Sequence, residues 1–313
     1  MITVLAGGVG AARFLAGLVQ VVDPSSITVI VNVGDDLELH GLHISPDIDT
    51  VTYTLAGVVD PERGWGLAGE SWRAMESLSR YGGLTWFNLG DLDLGTHLYR
   101  TQRLLDGAPL STVTAEIAKA WGLEVRILPV TDDRLRTMVT LPDEGGIEVS
   151  FQEYFVRRRH EVRVSAVRFA GAATAEPAPG VIEAITAAEL LVVAPSNPVV
   201  SIAPVLAVPG VRQAVMDRRD RVVAVSPIVA GAALKGPADR LLRELGYEAT
   251  VVGVARLYAP LAATLVVDEL DRPLAGDVER AGTRCVVAPT VMSDPETAAR
   301  LARQVLEAGG AAL

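Results

Sequence analysis

The chain has 313 residues, half of them hydrophobic, with 28 Lys and Arg against 38 Asp and Glu for a net charge of −10. That length and apolar content allow a large core and exclude a disordered chain. The acidic balance excludes a general nucleic-acid binder, which carries a basic excess, and leaves the handling of small molecules.

Taken in chain order, residues 2–6 ("ITVLA") form an apolar run that reads as a buried strand, so no signal peptide is expected at this end. "GGVGAAR" follows, and Gly10 to Val22 reads as a helix with Phe14, Leu15, Leu18 and Val22 at helical spacing. The next strand is 27–33, followed by "GDDLELHG" and by "SPDIDTVTYTLAGVV", which opens onto a helix. Further strands are expected at 84–89, 124–130, 189–195, 221–227 and 283–289, with helices between most of them. Ser111 and Gly122 read as caps of one helix, Pro237 and Gly246 bracket another, and Asp294-Pro295 starts the last, which ends near Gly309–Gly310. Residues 190–211 carry no charge for 22 residues, enough to span a bilayer, but Pro195, Pro198, Pro204 and Pro209 break any such helix. A buried strand and a loop are expected there, and no membrane partner. The single cysteine, Cys285, cannot form an internal disulfide; it reads as a core residue, and the usage fits a reducing cytoplasm.

Apolar strands alternating with helices predict an α/β fold, a Rossmann-like parallel sheet with helices on both faces. Residues 133–170 break the alternation, with a hairpin around "PDEGG" and then "RRRHEVR". They are expected to form an inserted hairpin subdomain or lid on a core made of 1–132 and 171–313. The "RRRHEVR" cations read as a solvated face, with an acidic substrate as the alternative.

In an open parallel sheet, ligands bind beyond the carboxyl ends of the strands, and most unusual polar and glycine residues of this chain follow a strand. Gly7, Gly8 and Gly10 lead into a helix N-terminus, an arrangement that attracts anions. Arg13 occupies the third glycine position of a G-x-G-x-x-G pattern, and there is no Gly-Lys-Ser/Thr. A tight turn with no ligand is the competing reading. Asp47 and Asp49, two apart before a helix, are hard oxygen ligands suited to Mg²⁺ with a substrate phosphate; a helix cap and a solvated acid are the alternative. Asp35 and Asp36 end the second strand, where a dinucleotide-binding fold keeps its ribose-binding acid. Asp91, Asp93 and His97 lie on a third polar loop.

"GGVGAARFLAGL", "VNVGDD", "HGLHISPDIDTVTYTLAG", "DPERGWG", "WFNLGDLDLGTHLYRTQ", "LLVVAPSNPVVSI", "SPIVAGAALKGPAD" and "APTVMSDPE" occur in that order. Together they resemble the 2-phospho-L-lactate transferase family, CofD in archaea and FbiA in actinobacteria, over about residues 2–310. The resemblance implies an enzyme of coenzyme F-420 biosynthesis. The terminal ribitol hydroxyl of the deazaflavin Fo attacks the phosphorus bearing a three-carbon acid in a guanylylated donor, lactyl- or enolpyruvyl-2-diphospho-5′-guanosine, and GMP leaves. It further implies Mg²⁺, a homodimer, and no redox cycling of the deazaflavin. Asp49 and Asp47 would serve the metal or orient the hydroxyl. The glycine loop with Arg13 and Asn32 would face the diphosphate, with Asp35 and Asp36 nearby. Ser196, Asn197, Pro198, Ser226, Pro227 and Lys235 would hold the nucleotide, and Asp91, His97 and Arg100 would line the Fo pocket. The overall pattern, with "DPERGWG", resembles the actinobacterial branch and favours the enolpyruvyl donor. One departure stands out: the family's Gly-Asp-Arg-Asp reads "GDLD" here, so Leu92 replaces an arginine expected near substrate. A nicotinamide-dependent oxidoreductase and a non-catalytic nucleotide-binding regulator are the competing readings.

Overall fold

The computed structural model describes residues 1–310. Seven short apolar runs pair side by side, all parallel: β1 (Ile2–Ala6), β2 (Ile27–Val31), β3 (Arg126–Pro129), β4 (Leu190–Val193), β5 (Val222–Val225), β6 (Thr264–Val267) and β7 (Arg284–Val287). Their order across the sheet is β7-β6-β5-β4-β1-β2-β3. Every residue of β1, β2, β4, β5 and β6 is buried, as expected of strands covered by helices on both faces. The chain runs outward from β1 to β2 and β3, then returns to build β4 on the other side of β1. The strand order thus reverses at β1 and β4, the place where an open parallel sheet binds ligands beyond its carboxyl ends.

Helix α1 (Gly8–Leu18) starts directly after β1. It packs closely: a Cβ on Gly10 would sit 2.3 Å from the Pro195 carbonyl oxygen. Gly8 has φ +73°, a conformation glycine adopts without strain. The C-terminal helix Pro295–Ala308 carries the expected start, a capping box between Asp294 and Thr297. Helix α2 (Pro46–Leu55) begins at once after Ser45, so Asp47 and Asp49 fall in its first turn. A side cluster of Leu37, Leu39, Ile44, Met75 and Leu89 joins the hairpin Leu37–Leu39/Leu42–Ile44 to helices α3 (Arg73–Arg80) and α4 (Asp93–Leu105).

The expected α/β architecture is present, with three differences in detail. Residues 84–89 form no strand: they have strand-forming side chains but no sheet edge to pair with, and Trp86 and Phe87 pack on the side cluster instead. Strand β6 escapes the sequence reading, although "TLVV" is a short apolar run like the others. Ser111 lies inside its helix, Leu110–Ala120, and its hydroxyl donates to Asp132 rather than capping.

In the insert, Arg136–Leu141 pairs antiparallel with Ile147–Ser150 on one side and Ala166–Ala170 on the other. Val139, Leu141, Val149, Phe151, Tyr154 and Val164 make a second core, completed by Val200 and Leu241 from the main body. A π-helical turn, Glu153–Arg157, follows this hairpin, and another, Pro198–Ile202, follows Asn197. Such turns are rare and collect at functional sites. The apolar stretch 190–211 is split between β4 and short helical pieces, and no single described helix is long and apolar enough to cross a membrane. Cys285 lies half-buried on β7, where burial pushes its thiol up, consistent with a packing role.

Candidate functional site

The site is a cavity of about 460 Å³. Its floor is the N-terminus of α1, with Gly7, Gly8, Gly10 and Arg13. Ser196, Asn197, Ser226, Pro227 and Lys235 line it, as do Asp35, Asp47, Asp49, Asp93 and His97. Thirteen sequence-expected residues thus face one space: Gly7, Gly8, Gly10, Arg13, Asp35, Asp47, Asp49, His97, Ser196, Asn197, Ser226, Pro227 and Lys235.

The remaining candidates lie elsewhere. Asn32 is fully buried behind the wall, where its amide donates to Asp47 Oδ2 at 2.9 Å and its oxygen accepts from Gly34 N–H at 2.8 Å. Asp36 faces away, accepting from Ser45 Oγ at 2.8 Å and lying 3.0 Å from His43 Nε2. Arg100 is wholly buried beneath Asp49, and Pro198 is buried at the start of a π turn. Asp91 is a correction: its carboxylate accepts from Ser71 Oγ and from the N–H groups of Arg73 and Ala74, so it holds the start of α3 and lies outside the cavity. Leu92 is also turned outward, 55% exposed, so the missing arginine leaves the cavity lining untouched. Arg158 is held by Glu144 and Glu153, outside the cavity lining.

Several polar side chains hold loops in shape. Ser196 Oγ donates to the Gly7 carbonyl at 2.8 Å, clamping the loops after β1 and β4 together. Asn197 caps its π turn by accepting from Val199 N–H at 2.9 Å, and Ser226 Oγ accepts from Ile228 N–H at 3.1 Å. The cations face the other way: Gly64 lies between Lys235 and Arg13, and burial with the neighbouring Arg13 charge holds the Lys235 amine below its ordinary value.

The acids divide into two groups. Asp47 Oδ1 accepts from Gly8 N–H at 2.9 Å, joining α2 to the glycine loop. Its surroundings hold no cation, and burial pushes its carboxyl up to about 6. Asp35 is pushed well above the carboxylate range by burial first, then by Asp47 and Asp36, and its Oδ1 is buried with no partner. Asp49 instead receives both Arg100 Nη atoms, Nη1 at 3.1 Å, with His97 Nδ1 at 3.7 Å. Burial pushes Asp49 up against the pull of Arg100 and His97. Asp93 accepts from Tyr53 OH at 2.5 Å and lies 3.3 Å from His97 Nε2. Burial raises Asp93, but the His97 and Tyr53 contacts outweigh it and hold it below the ordinary range.

Two placements here are chemically able to hold a divalent cation. Asp49, Asp93 and His97 have ligand atoms within 4.8 Å of one another, but both carboxylates already have internal partners. Asp35 and Asp47 are hard oxygen donors in mutual repulsion, one with an orphaned oxygen, which is the arrangement a hard cation relieves.

Sequence reasoning missed the aromatic walls. Trp65, Trp86 and Phe87 line one part of the cavity, and Phe151, Gln152, Phe155 and Val156 of the insert line another. Only the run of aromatics in "WFN" and "FQEYF" could have flagged them.

The chain matches the CofD family model, 2-phospho-L-lactate transferase, over residues 2–306. It is 47% identical over 309 residues to the phosphoenolpyruvate transferase of Streptomyces griseus, covering 98% of this chain and 97% of that one. It is 48% identical over 309 residues to the phosphoenolpyruvate transferase of Kitasatospora aureofaciens, covering 97% and 96%. The Mycolicibacterium smegmatis phosphoenolpyruvate transferase is 42% identical over 325 residues, covering 100% and 99%. A solved structure of a UPF0052 family protein from Bacillus halodurans shares the fold, with TM-score 0.63 and 17% identity over 97% of this chain and 98% of that one.

Proposed function

The chain belongs to the 2-phospho-L-lactate transferase family CofD, and we propose that it transfers a phosphoenolpyruvyl group to the ribitol hydroxyl of Fo. The donor in this reading is enolpyruvyl-2-diphospho-5′-guanosine and the leaving group is GMP. The phosphoenolpyruvate transferases at 42–48% identity support the enolpyruvyl donor over the lactyl one. The observation that carries the reading is one cavity that gathers the start of α1, the cations Arg13 and Lys235 and four acids, with Asp47 meeting the Gly8 amide.

Phosphoryl transfer is dominated by positioning and charge neutralisation and needs no covalent nucleophile from the protein. The N-terminus of α1, Arg13 and Lys235 bind the diphosphate. Asp47 and Asp35 would hold Mg²⁺, which would supply charge neutralisation at the diphosphate. Asp49, fixed by Arg100, orients the attacking hydroxyl. The Asp93–His97 pair beside it is placed to take up the hydroxyl proton. Tyr53, Trp86 and Phe87 form the face against which the deazaflavin lies. A homodimer and a cytoplasmic setting belong to the same reading, the second supported by a lone cysteine.

The test incubates the protein with Mg²⁺, Fo and each guanylylated donor separately, with product and GMP read by mass spectrometry. Product with the enolpyruvyl donor is expected. Product with the lactyl donor alone reverses the donor choice, and no product with either overturns the reading.

A further inference from the structure

We propose that the inserted subdomain reads the donor's base: Gln152 hydrogen-bonds the guanine edge while the ring lies against the wall formed by Phe151 and Phe155. This rests on the guanylylated-donor reading above. Gln152 is 7% exposed and lines the cavity, and among the described residues its carboxamide pairs with no side chain or backbone group. Among the cavity's polar side chains, this one faces the ligand space while many others are engaged in holding loops. A carboxamide offers an acceptor beside a donor. Guanine offers the complement, N1–H beside O6.

The wall is held in place. Phe155 lies between Phe151, at 5.5 Å and 14°, and His160, at 5.1 Å and 18°. Rings this parallel at this separation are offset, which leaves part of each face free for a further ring. Arg159 and His160 take left-handed φ values of +51° and +46°. Side chains adopt these reluctantly. Arg240 fixes that turn by donating to the carbonyls of His160 and Glu161 at 2.6 and 2.8 Å.

The pyrimidine ring of Fo carries a similar edge, so the placement of charge decides between the two. Phe155 abuts Gly236, which follows Lys235, and Lys235 adjoins Arg13. The ring joined to two phosphates therefore belongs at the insert. Tyr53 lies against Asp93, itself beside His97, and the Arg100 cation at that end is buried against Asp49.

The test is calorimetric titration of the full chain, wild type, Gln152→Leu and Phe155→Ala, with GMP, ribose 5-phosphate and Fo. Wild type is expected to bind GMP far more tightly than ribose 5-phosphate. Gln152→Leu should weaken GMP at least tenfold and leave ribose 5-phosphate and Fo within twofold, with the melting temperature retained. Phe155→Ala should act in the same sense. If the leucine variant does not fold, Gln152→Met, similar in length and lacking the amide, takes its place. GMP affinity within twofold of wild type in the folded variant overturns the proposal, as does a loss confined to Fo. Loss of GMP binding as described in a protein that shows no transfer to Fo overturns the transferase reading alone. Transfer that proceeds with GMP affinity unaffected overturns the base assignment alone.

Discussion

Asp47 and Asp49 stand two residues apart in the first turn of α2 and are equally buried, yet their surroundings are opposite. Asp49 has its cation built in, Arg100, and behind it His97, Asp93 and Tyr53 form a closed chain of contacts. Asp47 has only an amide and a backbone N–H, with Asp35 beside it in repulsion. One acid is completed by the fold; the other is left for something the fold does not supply. Equal sequence spacing therefore hides two different jobs, and burial alone does not distinguish them.

The largest effect expected from breaking this contrast is at Asp47. Asp47→Asn should lower turnover by at least about a hundredfold, the scale seen when a charge-stabilising group is removed from a reacting centre. Steady-state rates with saturating Fo check this, and a drop under tenfold would make the two acids equivalent. On the other side, Arg100→Ala strands the Asp49 charge without its partner. Urea unfolding should show a loss of about 3–5 kcal/mol, the usual cost of breaking a buried pair, with Asp49→Asn in the same background recovering part of it.

Proton linkage separates the acids more finely. The folded-state value of Asp47, about 6, lies above its ordinary 3.8, so the folded protein binds the proton more tightly than the unfolded one. The contribution of Asp47 to the stability of the metal-free protein is then largest below about 4 and is lost as pH rises through 6. Asp47→Asn should flatten that decline, and added Mg²⁺ should offset it; thermal melts between pH 4 and 7 read both. The smallest effect is expected at Leu92. Leu92→Arg restores the family residue, but the position is solvent-facing, so transfer rates should change less than threefold.

What the sequence shows of this site follows from what side-chain chemistry can reveal by itself. Strands buried on both faces announce themselves as apolar runs, and the glycines, Asp47 and Asp49 follow strands or open helices, so their convergence was legible. Which acid carries an internal counter-ion was not legible, because Arg100 reaches Asp49 from α4, 51 positions away in the chain. Asp91 has the composition of a site acid and the task of a helix start. Gln152 and Phe155 gave no signal beyond the aromatics of "FQEYF", since their place at the cavity depends on a hairpin packing against segments distant in the chain. Residues 84–89 misled for the same reason, because a strand needs an edge to join.

The assignment of an outside cation to Asp47 is tested most directly by bound Mn²⁺, measured by electron paramagnetic resonance in the presence of GDP. Asp47→Asn should lose the bound ion and Asp49→Asn should keep it. Retention by Asp47→Asn with loss in Asp49→Asn would contradict the assignment.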